Sequence, residues 1–340
     1  MTYEELANQA RGQMGEWCKA CPICDGRACG SHIPGPGSKG SGNVAARNHE
    51  AWKDYRLSMD TIHETFTADI SARVLGRQLA LPVMIAPVGD VPLHYGSKYD
   101  TVAYNRTVLQ AAHEAGTLAW TGDGTDESIM SNALELIGSM DGAGVPTIKP
   151  WSMDVVFEKL EAALAVHPAA VAMDIDAAGL PFLRGQQPPA GAKSRAELRE
   201  IAHRCHAADV PFVVKGVMSV RAAEKAVRAH ADAIVVSNHG GRVLDGVPAT
   251  AEVLPDIAAE FRGATQILVD GGIRSGIDVF RALAMGATAA LVCRPFVVAT
   301  FGGGAQGVRD YLDQFARELS DAMEMCGARS VSDIDREMLW

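Results

Sequence analysis

Short apolar runs recur along this chain, each bounded by polar or glycine-rich residues. They lie near Val83–Val88, Leu118–Thr121, Thr147–Trp151, Val171–Asp176, Phe212–Lys215, Ile234–Ser237, Ile267–Asp270 and Ala289–Cys293. Between them stand longer stretches with apolar residues at helical spacing, such as Ser194–Ala207 and Val220–Ala229. Continuous apolar runs of four to six residues suit strands buried on both faces, and their alternation with amphipathic helices suits a parallel sheet. Eight such units predict an α/β fold, a (β/α)8 TIM barrel. Residues 2–17 read as a short helix before it, and His32–Asn43 (HIPGPGSKGSGN) as a Gly/Pro/Ser loop wrapped across a face of the barrel. The expected division is residues 1–44 as an N-terminal helix and Cys-rich segment packed on the barrel, and residues 45–340 as the barrel itself.

Composition narrows the function without naming it. The 340 residues carry a net charge of −10 with no basic cluster, which argues against nucleic acid as a partner. No apolar run reaches the roughly 18 residues needed to cross a bilayer, and the N-terminus lacks a signal-peptide core, so a cytoplasmic protein is expected. Its seven cysteines should then be reduced rather than paired in disulfides. Four of them, Cys18, Cys21, Cys24 and Cys29, are spaced C-x2-C-x2-C-x4-C. That spacing matches the thiolate supply of an iron–sulfur cluster such as a 4Fe–4S centre, or of a tetrahedral zinc site; unligated or redox-active thiols are the remaining reading.

The apolar runs end in chemistry-bearing residues, which is where a barrel of this type collects its site. The sixth run breaks into Ser237, Asn238, His239, Gly240, Gly241 and Arg242, offering a base that titrates near neutrality and a fork for a carboxylate. The seventh ends in Asp270-Gly271-Gly272-Ile273-Arg274 before a helix opening at Ser275-Gly276, and the eighth in Cys293-Arg294. A glycine turn before a helix, with two arginines beside it, is a phosphate cradle. Lys215 follows four apolar residues and is a poor core residue unless paired. Asp176, at the end of the fourth run, could orient His239.

The long motif SNHGGR…LDG followed by DGGIRSG resembles the FMN-dependent 2-hydroxy acid oxidases and dehydrogenases, the family of the glycolate, lactate and mandelate enzymes. The similarity is dense from Ile234 to Phe296 and thins back to about Arg47 through LPVMIAPVG. The resemblance implies FMN on the glycine cradle, with Pro87, Val88, Gly89 and Gly122 supporting the ring, Ser237 beside it, and Lys215 at its pyrimidine edge. It implies that His239 accepts the substrate hydroxyl proton while Arg242 binds the carboxylate of a small-molecule 2-hydroxy acid. It also implies a homo-oligomer.

Several positions depart from the family. Lys149 stands where Gln is expected and Asp174 where Thr is expected, which predicts a compensating ion pair beneath the flavin. Cys293 stands in place of Gly. Trp151 replaces a tyrosine, the N-terminal tyrosine of the family has no counterpart, and Arg184 lies near the second arginine of the carboxylate clamp. The loop Gly179–Ser194 reads as a short lid, and the altered pocket predicts a substrate larger than, or different from, lactate or glycolate. Two further readings stay open. The barrel could resemble type 2 isopentenyl-diphosphate isomerases, which use flavin without net oxidation, or be an ordinary oxidase with structural zinc. A cluster in the Cys-rich segment would favour a dehydrogenase with an electron-transfer partner.

Overall fold

A computed structural model describes all 340 residues. A hairpin of β1 (Ala72–Val74) and β2 (Arg77–Leu79) precedes eight parallel strands: β3 (Val83–Ile85), β4 (Trp120–Thr121), β5 (Val145–Ile148), β6 (Val171–Asp174), β7 (Phe212–Val217), β8 (Ala233–Val236), β9 (Gln266–Val269) and β10 (Ala289–Val292). Neighbours run in the order β3-β10-β9-β8-β7-β6-β5-β4. A parallel bridge from Ile85 to Ala119 closes the ring. The fold is the expected (β/α)8 barrel, with all eight strands found and most ends moved by one to three residues.

The helices explain why. Helices α1 (Tyr3–Ala10) and α2 (Asn43–Ala51) precede the barrel, and a short α3 (Val91–Tyr95) follows β3. Then α4 (Thr101–Glu114), α5 (Glu127–Gly138), α6 (Met153–Leu164), α7 (Arg195–Ala207), α8 (Val220–Val227), α9 (Thr250–Phe261), α10 (Gly276–Ala284) and α11 (Arg294–Cys326, broken at Gly304) each follow one strand, β3 to β10 in turn. Strand residues alternate between two cores, as the pleat demands. Met84, Trp120, Val145, Ala172, Val213, Val235, Leu268 and Leu291 fill the barrel interior. Ile85, Ile148, Met173, Val214, Ile234, Val236 and Val269 pack outward beneath the helices. Val74, Leu75 and Leu79 of the hairpin join the inner cluster. Leu75 N–H also donates to Gln266 Oε1 at 2.8 Å, so the hairpin plugs the N-terminal mouth and leaves the other end for chemistry.

The N-terminal helix is shorter than its pattern. Thr2 and Glu5 form a reciprocal cap, but the helix stops at Ala10, because Gly12 takes a left-handed turn and the chain then pairs Gly15 N–H with Tyr95 O. Tyr3 stacks on Tyr311 at 5.0 Å and donates its backbone N–H to Gln314 Oε1 at 2.9 Å, which seats α1 on α11. The following loop does wrap across the open mouth. Lys39 N–H donates to Gly241 O at 2.7 Å, and its Nζ donates to the carbonyls of Gly179 (3.0 Å) and Val243 (2.8 Å). No helix is long and apolar enough to cross a membrane.

Candidate active site at the strand ends

A cavity of about 330 Å³ opens at the C-terminal strand ends, within the range of small-molecule sites. Ala86, Pro87, Val88, Gly89, Gly122, Lys149, Asp174, Lys215, His239, Arg242, Asp270, Gly271, Gly272, Arg274, Cys293 and Arg294 all line it. Sequence reasoning thus gathers most of its candidates into one space.

Its floor is charged. Lys149 Nζ lies 2.8 Å from Asp174 Oδ2, and Lys215 Nζ lies 3.0 Å from Asp174 Oδ1 and 3.5 Å from Asp270 Oδ2. All four groups are buried. Burial alone would push the Asp174 carboxyl up, but Lys149 and Lys215 together hold it well below the usual carboxylate range. Burial likewise works against the Lys215 ammonium, yet Asp174, Asp270 and Asp176 outweigh it and raise its pKa. Lys215 also donates to Ser237 Oγ at 3.4 Å. A bulge at Gly216 (φ +105°) shapes this strand end: a Cβ there would stand 2.6 Å from Asp176 Cγ, so glycine gives Asp176 its place.

The cradle follows β9. Gly272 (φ +85°) lies so close to α2 that a Cβ would stand 2.0 Å from Asn48 O. Trp52 Nε1 donates to Gly271 O at 2.7 Å, pinning the turn from behind. Arg294 Nη2 donates to Gly240 O at 2.8 Å, while Arg274 donates from Nε to Cys24 O at 2.6 Å and from Nη1 to Ile273 O at 2.7 Å. The two guanidiniums keep further N–H groups for an anion.

His239 sits just beyond β8 with φ +56°, a left-handed conformation that a histidine adopts only when its surroundings hold it. Its Nδ1 lies 2.9 Å from Asp176 Oδ1. Arg242 directs Nη1 at the carbonyls of Gly35 and, at 3.3 Å, Gly37. Two proposed substrate contacts are not brought here. Trp151 is fully buried and absent from the lining, because its indole donates to Asp123 Oδ2 at 2.6 Å. Arg184 is exposed on the lid loop and does not line the cavity.

Asp123, Asn48 and His94 went unnoticed in sequence. Asp123 is a buried anchor: besides Trp151 it accepts from Lys149 N–H at 3.1 Å and pairs with Lys159 at 2.9 Å. Asn48 and Asn238 exchange amide hydrogen bonds at 2.8 and 2.9 Å, tying α2 to the end of β8. His94 lines the cavity beside Phe182, and burial, then Arg242, Lys149 and His239, push its pKa down to about 3. The polar residue following β4 and the SNH run carried hints of the first two; nothing marked His94.

Cys18, Cys21, Cys24 and Cys29 are free thiols, Cys29 buried and the others half-buried. The Cys18 thiol is pushed up to about 12, first by burial and then by the sulfurs of Cys24, Cys29 and Cys21. Cys24 stands beside the cradle, since its carbonyl accepts from Arg274 Nε at 2.6 Å.

Comparison with known proteins places this arrangement. The sequence profile of the FMN-dependent dehydrogenases matches residues 36–181 and 183–340. The chain belongs to that family. Similar in sequence is the L-lactate dehydrogenase of Allorhizobium ampelinum, 49% identical over 129 residues, or 38% of this chain and 34% of that one. An Acinetobacter baumannii L-lactate dehydrogenase is 50% identical over 131 residues, again 38% and 34%. These matches thus span about a third of the relatives' length. A mandelate oxidase structure with benzoyl-formic acid superposes with TM-score 0.81 at 28% identity, covering 99% of this chain and 97% of that one. A flavocytochrome b2 variant with pyruvate bound, at 20% identity and TM-score 0.79 over 90% of this chain and 80% of that one, shares the fold. The cavity's residues fit the family's FMN: a close-packed glycine turn flanked by Arg274 and Arg294 suits its phosphate, and Lys215 suits an anionic ring edge.

Proposed function

We propose that the protein oxidises a 2-hydroxy acid to the 2-oxo acid, with His239 as base, Asp176 as its orienting partner and Arg242 on the substrate carboxylate. The observation that carries this reading is the 2.9 Å contact of His239 Nδ1 with Asp176 Oδ1 in a cavity shared with Arg242 and the glycine cradle. Asp176 accepts a hydrogen bond from Nδ1–H and leaves Nε2 free to take the substrate's hydroxyl proton; it then stabilises the imidazolium formed. FMN, held by the Gly271–Gly272 turn with Arg274 and Arg294, would supply the two-electron oxidant that balances this oxidation. Lys215 supplies positive charge toward the ring, fixed in place by Asp174 and Asp270. Arg242 spends Nη1 on the N-terminal loop and keeps Nε and Nη2 for a carboxylate. Leu93, Leu180, Phe182 and Leu183 line the same space and favour an acid with an apolar side chain.

We also propose that Cys18, Cys21, Cys24 and Cys29 hold an iron–sulfur cluster beside the cradle, passing electrons from FMN to an acceptor protein. Their spacing supports this, Cys24 reaches the cradle through its carbonyl to Arg274, and zinc is the competing occupant. The test is an anaerobic absorption spectrum of purified protein before and after a panel of 2-hydroxy acids, with iron, zinc and acid-labile sulfide analysis. Flavin bands that bleach with an acid support the oxidation, and bands that none bleaches overturn it. Iron with sulfide supports the cluster; zinc alone, or neither metal, overturns it.

A further inference from the structure

The mouth of the cavity holds a second imidazole that the proposed reaction does not use. Gly35 N–H donates to His94 Nδ1 at 3.1 Å, so Nδ1 is an acceptor and a neutral ring must carry its proton on Nε2. Nε2 finds no partner within the protein, although the ring lines the cavity with His239, Arg242 and Lys149. Phe182 packs on the ring at 5.2 Å and fixes its plane. The same Gly35 accepts from Arg242 through its carbonyl, so one residue of the N-terminal loop sets both side chains.

We infer that His94 is a permanently neutral hydrogen-bond donor to the substrate, its Nε2–H binding an oxygen of the 2-hydroxy acid beside Arg242. This rests on the hydroxy acid reading and adds a binding residue to it. Burial first, then the Arg242 and Lys149 cations, keep the ring from protonating, with its pKa pushed down to about 3, so the donor serves unchanged across neutral pH. The loop that carries Gly35 positions this fixed N–H donor.

The test compares His94→Leu and His94→Gln in the FMN-loaded protein, using pyruvate and benzoylformate as probes of binding through the flavin spectrum. A reducing 2-hydroxy acid then reads the chemical step. His94→Leu should weaken binding of the oxo acid roughly 10- to 100-fold, the cost of losing one buried hydrogen bond. FMN content and the reduction rate at saturating acid should change far less, and His94→Gln, which keeps an N–H donor, should recover part of the loss. Wild-type affinity in His94→Leu overturns the inference. If that variant fails to fold, 15N-imidazole spectra of the wild type decide. A neutral Nε2–H ring between pH 5 and 8 that shifts on adding either oxo acid supports the role, and an Nδ1–H or doubly protonated ring overturns it. A flavin that no 2-hydroxy acid reduces would sink the proposed reaction, while the imidazole spectra would still settle His94.

Discussion

Lys149 Nζ and Asp174 Oδ2 meet at 2.8 Å on the floor of the cavity, and Asp174 is shared with Lys215 at 3.0 Å. One carboxylate is therefore shared by two buried ammonium groups, and Asp270 supplies the second negative charge at 3.5 Å from Lys215. The arrangement keeps positive charge where a flavin ring would lie without leaving any of it unpaired.

Removing partners one at a time should expose that balance. Asp174→Thr strands Lys149 and leaves Lys215 only its longer contact, so it should be the most damaging change, costing about 3–5 kcal/mol of stability. Lys149→Gln leaves Asp174 with Lys215 and should cost less. The double change removes both charges and should recover most of the loss in both stability and FMN affinity. Denaturant unfolding and FMN titration of the three variants check this, and losses that simply add would count against a coupled pair.

Both ends of that pair were legible in the sequence because each departs from the family pattern, Lys149 standing where Gln is expected and Asp174 where Thr is expected. The barrel was legible for a different reason: its strands are buried on both faces and read as unbroken apolar runs. What was not legible depends on contacts across long separations. Trp151 reads as a substrate contact in sequence, but Asp123, 28 positions earlier, holds its indole outside the cavity. His94 becomes a site residue only because Gly35, 59 positions before it, crosses the mouth. Arg184 lies in a lid loop without periodicity, where no pattern could fix its direction.

The His239–Asp176 contact predicts a rate effect with little change in binding. Asp176→Asn can present its amide N–H to Nδ1, which places the histidine proton on Nε2, where the substrate needs an acceptor. The rate of anaerobic flavin reduction should fall by roughly 10²–10⁴-fold, the usual worth of a positioned base. Affinity for the 2-oxo acid should stay within a few-fold. Stopped-flow reduction measures the first and flavin difference spectra the second; an unchanged rate would remove Asp176 from the mechanism.

Gly272→Ala tests the cradle. The added Cβ would stand 2.0 Å from Asn48 O, and φ +85° is strained for alanine in any case. The turn must therefore shift away from α2, carrying Gly271 and Arg274 with it. FMN should be lost on dialysis from this variant while the barrel's far-ultraviolet circular dichroism is kept. Full retention of FMN would mean that the phosphate is held elsewhere.

Acid should destabilise the protein through His94 before the carboxylates titrate. Its pKa is about 3 in the folded state, against roughly 6.5 when unfolded. Between those values the unfolded chain binds a proton that the folded chain does not, so stability rises with pH and is lost as pH falls below about 6.5, by up to about 1.4 kcal/mol per pH unit. From pH 7 to pH 5 this one group should remove about 2 kcal/mol. His49, whose pKa is also lowered by burial and by Lys53 and Arg274, adds loss of the same sign. The contribution of Asp174, which folding holds below the usual carboxylate range, is lost only in more acid solution. Comparing wild type with His94→Gln isolates the histidine: urea unfolding at pH 5, 6 and 7 should give a shallower pH dependence in the variant by about that amount. Parallel curves would show that His94 is protonated as readily in the folded protein as in the unfolded chain, and so is no fixed neutral donor.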